Sequence, residues 1–404
     1  MSASGVRVVV IGAGTAGLAS AYYLQQANIP FVVLERSHEV GHTWNSLYPS
    51  LRLNTTKWYS HLPKMPMPWH YPIFPTAKQY HRYLNAFANR HHLRQHIHFG
   101  VMVQEVARTA NRRWRVQTDS TTWEVDAVIS ATGRFDQPFT PAIPNQAHFK
   151  GRVLHAHDYL GAEPFKGERV MVVGNGPSGI DIAPEIGKQA YQPPVLLSMR
   201  TGITLSPRYP WGLPKHAWMI LADYLPQRWG QALNAKIASI QFRNLERVGI
   251  HTPQDGKTST AAGTRGDELI RAVKAGQVIC VPGLRSFTRD GVILDDESVH
   301  QVEAVIMATG YRPVLYRYLH EPVEHTDSAG FPKRDQTTFI PRQDHPSDYP
   351  SNSGREVKDL AGLYLVGVFY QGKGALYNCN LEGQIAVDQI KARLQQLDAR
   401  SPSS

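Results

Sequence analysis

Two stretches of the chain carry glycines at a spacing suited to phosphate chemistry. VRVVVIGAGTAG places Gly12, Gly14 and Gly17 after an apolar run, and VMVVGNGPSGID repeats the device with Gly174, Gly176 and Gly179. Between a strand and a helix this pattern makes a tight turn, lets the backbone approach a pyrophosphate and packs helix against strand. The helix N-terminus then meets the negative charge. Ala13, Thr15 and Ala16 belong to the first such turn, Pro177, Ser178 and Asp181 to the second. The two differ at the end of the following strand, about 20 residues on. In the first, Glu35, followed by Arg36, can accept from ribose hydroxyls and would repel a 2′-phosphate. In the second, Arg200, followed by Thr201, offers a fork of donors that fits a phosphate. The pair predicts an adenine dinucleotide with a bare ribose in the first cradle and NADPH in the second.

The elements that must position these residues follow from pattern. The chain opens with strand, glycine turn, a helix of small and apolar residues over Leu18 to Gln26, and the strand FVVLE ending at Glu35. That is the βαβ unit of about 30 residues that a dinucleotide fingerprint requires. Trp44 to Pro75 is rich in proline and aromatic residues and too long for a plain connection, which predicts a binding or covering segment. A helix from about Ala77 to Asn89 and strands around Ile97 to Val106, Trp114 to Thr118 and Trp123 to Val125 lead to the apolar strand VISATG. From Arg169 the order repeats: strand, turn, helix over Ser178 to Gly187, strand VLLSM. Ser206 to Arg265, punctuated by Trp and Pro, predicts an insertion over the second domain. VEAVIMATGYRP then repeats the Ala-Thr-Gly ending, Pro341 to Lys358 reads as a surface loop, and the chain closes with strand, Gly-rich turn and long helix. The expected fold is α/β with two Rossmann-like dinucleotide-binding domains. The first, residues 1–160 and 300–404, is discontinuous around the second, residues 161–299, with a helical insertion at about 206–265.

With 42% hydrophobic and 19% charged residues over 404 positions, the chain has an ordinary soluble composition. The net charge of +10 suits an anionic partner. Phosphate-bearing cofactors meet that need, and no nucleic-acid module or Lys/Arg run points to nucleic acid. The only cysteines, Cys280 and Cys379, form neither a disulfide framework nor a zinc set, so a cytoplasmic setting is expected. With the first strand starting at about Val6, no cleavable signal peptide is expected, and no apolar run reaches the roughly 18 residues of a membrane span. His91-His92 and His96-x-His98 lack further ligands, so no metal site is expected.

Two dinucleotides in one chain make sense if electrons pass between them, and FAD is the partner most compatible with NADPH. A disulfide reductase would need a cysteine pair that is absent, which leaves oxygen as the common acceptor. Between the two turns lies FKGRVLHAHDY, with Phe149, Gly151, His155 and Tyr159. This F-x-G-x-x-x-H-x-x-x-Y spacing resembles the identifying pattern of the flavin-containing monooxygenases, and its terminal tyrosine is unlike the tryptophan of the Baeyer–Villiger branch. GAGTAG, Glu35-Arg36, GHTW, LNTTK, GNGPSGID, ATGYRP and GFPKR extend the resemblance over nearly the whole chain, closest in layout to YUCCA-like and bacterial members.

The resemblance implies that NADPH reduces FAD, oxygen adds at the flavin C4a position, and a small substrate is oxygenated. The product is an N- or S-oxide or, in the YUCCA-like manner, the acid from oxidative decarboxylation of a 2-oxo acid such as indole-3-pyruvate. It places Asn54 of LNTTK beside the flavin as a stabiliser, and Thr43, Trp44, Thr55 and Val103 as flavin contacts. Ser178, Gly179 and Asp181 would sit against NADP+. His155 lies between the domains in the family, where it fixes linker geometry or moves protons. Ala156 departs from the hydroxyl residue that often follows, and Gln371, Lys373 and Asn378 differ near the flavin edge. A homodimer is compatible with this reading. Two alternatives stay open: an NADPH oxidase that releases hydrogen peroxide, and a non-enzymatic, redox-sensing flavin protein.

Overall fold

The computed structural model describes residues 5–135, 137–253, 264–321, 323, 326–327, 330–333, 339–341, 353–368 and 374–400. The chain folds as two compact units. Met1–Ser46, Lys57–Gln137 and Tyr311–Ser404 form the first; Leu47–Thr56 and Pro138–Gly310 form the second.

In the first unit the β-branched run of β1 (Val8–Ile11) is buried along its whole length, as a central parallel strand covered on both faces must be. It is followed by α1 (Thr15–Gln26) and β2 (Phe31–Glu35). β1 pairs in parallel with β2, Val8 opposite Phe31, and with the strand Ala127–Ser130, Val8 opposite Ala127. Ile97–Phe99 and Leu363–Leu365 extend this parallel core, and Ser353–Val357 and Phe339–Pro341 add an antiparallel edge, giving seven strands. A separate antiparallel meander, Val103–Arg108, Trp114–Thr118 and Thr122–Val125, inserts before Ala127. The single strand expected over 97–106 is thus two strands in different sheets, broken at Gly100, whose φ of +70° suits glycine. The helix Ala77–Arg90 starts with a full capping box, Thr76 with Gln79. α1 packs on the terminal helix Ala375–Arg400, where Gly383 lies against Ala19 and Ser20 closely enough that a Cβ would sit 3.1 Å from the Ser20 nitrogen.

The second unit repeats the plan with β3 (Val170–Val173), α2 (Pro177–Gly187) and β4 (Val195–Ser198). Its five strands are all parallel, in the order Val278–Val281, β4, β3, Ala304–Met307, Arg152–His155. Another antiparallel meander, Leu284–Phe287, Gly291–Leu294 and Val299–Gln301, inserts before Ala304. The expected insertion contains the helices Lys215–Asp223 and Gln227–Ala238, and Leu245 and Ile250 join the core beneath α2.

The boundaries differ from those expected. Residues 138–160 and 300–310 belong to the second unit, because Arg152–His155 and Ala304–Met307 are adjacent strands of its sheet. The expected loop at 341–358 contains the strand Ser353–Val357; positions 342–352 lie outside the described residues.

Candidate functional site

Each glycine turn is built in the same way. Gly12 takes φ +104° and Gly174 φ +117°, and a Cβ on either would lie 2.8 Å from the Ala131 carbonyl oxygen or 2.4 Å from that of Ala308. A Cβ on Gly17 would fall 1.8 Å from the Gly12 oxygen, and one on Gly179 would fall 1.9 Å from the Gly174 oxygen. Both third glycines are therefore obligatory for the helix to start where it does. The middle glycines are different: a Cβ on Gly14 or Gly176 would meet no atom within 4 Å. The open side of each turn lies at the first exposed amides of a helix, the place a pyrophosphate requires. The side chains of Thr15 and Ala16 are buried, and the Thr15 hydroxyl lies 3.3 Å from that of Tyr80. Val103 is half-buried and pairs with Thr118.

Glu35, at the end of β2, accepts from the Ala13 amide (2.7 Å) through one carboxylate oxygen and from the Ser37 amide (2.8 Å) through the other. A carboxylate has about four acceptor positions, so each oxygen keeps capacity for a ribose hydroxyl. The carboxylate also fixes the turn, a role the spacing alone did not suggest. Arg36 is exposed beside it. Thr43 and Trp44 stand on the short helix His42–Ser46, and the Trp44 ring meets Tyr80 edge-on at 4.7 Å.

In the second unit Arg200 and Thr201 follow β4 and are exposed, and Arg200 forms no ion pair among the described residues. Sequence reasoning missed Asn175, the residue between the first two glycines. Its amide donates to the carbonyl oxygens of Thr201 (2.7 Å) and Gly202 (3.2 Å), tying the glycine turn to the segment that carries Arg200. An asparagine between two glycines signals a tether, but the acceptors lie 26 and 27 positions away and cannot be read from the motif.

The Asp181 carboxylate accepts from the Tyr48 hydroxyl at 3.4 Å. One turn on, Glu185 accepts from Ser50 at 2.6 Å. Together they hold the segment Leu47–Thr56 on α2, and that segment carries Asn54 and Thr55. Asn54 is exposed between buried Leu53 and buried Thr56, whose amide donates to His216 Nδ1 at 3.4 Å. Burial pushes the Asp181 carboxyl up to about 7, reinforced by Glu268 and Glu185 and opposed by Arg208 and Tyr48. The same burial raises the Tyr48 phenol.

His155 Nδ1 accepts from the His157 amide (3.0 Å), so Nε2 carries the proton and donates to the Gly310 carbonyl (3.1 Å). Burial lowers its pKa, which favours this neutral form. Both ring nitrogens are committed to backbone of the second unit. Asn378 is buried in the terminal helix, and Gln371 and Lys373 lie outside the described residues.

The family model for flavin-binding monooxygenase-like proteins matches residues 5–330. The chain is 31% identical over 337 residues to the probable indole-3-pyruvate monooxygenase YUCCA9 of Arabidopsis thaliana, covering 80% of this chain and 79% of that protein. It is 28% identical over 411 residues to the probable indole-3-pyruvate monooxygenase YUCCA8 of the same plant, covering 98% and 91%. Among solved structures, the flavin-containing monooxygenase from Stenotrophomonas maltophilia superposes with a TM-score of 0.68 at 23% identity, covering 96% of this chain and 99% of that one. With the family model spanning most of its length and both dinucleotide cradles in place, the chain belongs to the flavin-binding monooxygenase-like family.

Proposed function

We propose that this flavin monooxygenase uses NADPH and FAD to decarboxylate a 2-oxo acid oxidatively, giving the carboxylic acid one carbon shorter. The observation that carries the cofactor assignment is a pair of glycine turns built alike, the first faced by the Glu35 carboxylate at the end of β2 and the second followed by Arg200 just past β4, with no carboxylate at the position of Glu35. In this reading the turn Gly12–Gly17 holds the FAD pyrophosphate and Glu35 the ribose, with Arg36, Thr43, Trp44, Thr55 and Val103 as further contacts. The turn Gly174–Gly179, with Pro177 and Ser178 at the helix start, holds NADPH, and Arg200 and Thr201 take its 2′-phosphate. When bound, FAD accepts a hydride from NADPH and activates dioxygen, so that one oxygen atom enters the substrate and the other leaves as water. Asn54 orients: its amide offers two donors and an acceptor and does not ionise, so it is no general base.

The substrate assignment is supported by the likeness to YUCCA9 and YUCCA8. The overall reaction consumes the 2-oxo acid, dioxygen, NADPH and a proton, and yields the shorter acid, carbon dioxide, NADP+ and water. Under anaerobic conditions NADPH should bleach the yellow protein. In air with indole-3-pyruvate, indole-3-acetate should form in step with NADPH consumed. Hydrogen peroxide in place of product would make the protein an NADPH oxidase, and failure to bleach would leave a redox-sensing binding protein.

A further inference from the structure

Seven of the fifteen large apolar or aromatic side chains exposed among the described residues lie between Tyr209 and Trp229. Trp211 is 56% exposed, Trp229 59% and Tyr224 84%, with Leu213, Leu221 and Leu225 beside them in sequence. Concentration of this kind marks an interaction surface, whereas scattered exposed residues are normal. Trp229 and Lys236 are seven residues apart on the helix Gln227–Ala238 and so share one face. Lys236 Nζ lies 5.9 Å from the centre of the Trp211 ring, and the Arg228 guanidinium lies 5.4 Å from that of Trp229. Trp211 also meets Trp218 edge-on at 5.5 Å. The backbone of Trp211 is held at φ +53°, a left-handed conformation that a bulky residue seldom adopts.

The charge decides what fits this surface. Between residues 206 and 250 there are six Lys or Arg and two Asp or Glu. A second copy would set the same positive surface against itself. Indoles and phenols flanked by cations match the boundary between anionic headgroups and acyl chains, where the rings enter the interface and the cations stay at headgroup level. Among the described residues no helix is long and apolar enough to cross a membrane, so the contact would be superficial. We infer that the helical pair Lys215–Asp223 and Gln227–Ala238, with Trp211 ahead of it, docks the protein on an anionic lipid bilayer surface.

The test is cosedimentation of the full, flavin-loaded protein with phosphatidylcholine vesicles with and without phosphatidylglycerol. Binding should require the anionic lipid and weaken with salt. Trp211→Ala combined with Trp229→Ala should lower it at least about tenfold, since these rings supply the interfacial burial. Arg228→Gln combined with Lys236→Gln should lower it roughly thirtyfold, the effect of two cations near the surface. Flavin content and circular dichroism report whether each variant is folded, and the charge pair leaves every ring in place. Equal binding to both vesicle types, or anionic binding that survives loss of both tryptophans, would overturn the inference. So would self-association, read by analytical ultracentrifugation without lipid, that the same substitutions abolish.

Discussion

Glu35 closes β2, whereas Arg200 lies two residues past the end of β4; the register of the two sheets matches Glu35 with Met199 and Arg200 with Arg36, so the carboxylate of the first cradle has no counterpart in the second. Arg200 is exposed and forms no ion pair among the described residues, so its donors are available to a phosphate. A charge-assisted hydrogen bond contributes about 1.5–3 kcal/mol, so Arg200→Ala should raise the dissociation constant for NADPH roughly 10- to 150-fold while leaving NADH almost unchanged. Titration of the oxidised protein with both reduced coenzymes checks this, and parallel losses would remove Arg200 from the 2′-phosphate. The strand end at Glu35 was legible in the sequence from strand period and glycine spacing, whereas Arg200 lies one position further along than the match of Glu35, an offset that spacing alone does not reveal. The second role of Glu35, bonding to the Ala13 and Ser37 amides, was not legible, since backbone amides leave no mark in residue identity.

At the level of elements, the three glycines of each turn do different work, and the difference is measurable. Gly17→Ala would drive a methyl to 1.8 Å from the Gly12 oxygen, an overlap that only displacement of α1 from β1 could relieve. Thermal melts should show a loss of about 3 kcal/mol or more, the upper range for overpacking. Gly14→Ala adds its methyl to open space, so melting of the flavin-free protein should stay within about 1 kcal/mol of the parent, Ala even being favoured over Gly for chain entropy. If the proposed FAD site is right, flavin content should nonetheless fall, because that space is the one the pyrophosphate would approach. Asn175 links the second turn to the segment after β4 through two hydrogen bonds. With that tether cut, Asn175→Ala should raise KM for NADPH by at most roughly 5- to 150-fold, two hydrogen bonds at a net 0.5–1.5 kcal/mol each, and leave kcat at saturation nearly intact. A fall in kcat with KM unchanged would place Asn175 in the chemistry instead.

On the scale of the whole molecule, the two units repeat one plan, and these two copies of it recruit their fifth parallel strand from opposite directions in the chain. Beside Ala127–Ser130 the first sheet takes Leu363–Leu365 from the C-terminal end, and beside Ala304–Met307 the second takes Arg152–His155 from ahead of its glycine turn. The repeat itself was visible in the two Ala-Thr-Gly endings. The recruitment was not, because a four-residue strand such as Arg152–His155 carries no pattern naming its neighbour, and the domain boundaries shifted for that reason. The copies also diverge two residues past the third glycine. In α1 that residue is Ala19, fully buried against the terminal helix near Gly383; in α2 it is Asp181, which faces Tyr48 on the segment that carries Asn54. An anchoring carboxylate held there against burial makes stability depend on pH with a definite sign. Asp181 ionises near 3.8 when unfolded and at about 7 when folded. Its contribution is therefore fully present below about pH 4 and is lost as pH rises through 7, opposite to the trend of an exposed, paired carboxylate. Urea melts of the parent and of Asp181→Asn across this range should show the parent losing stability relative to the variant as pH rises from about 4 to 7, with the difference levelling above that. A constant difference would mean that Asp181 titrates as an ordinary surface carboxyl and that Tyr48 is held by other contacts.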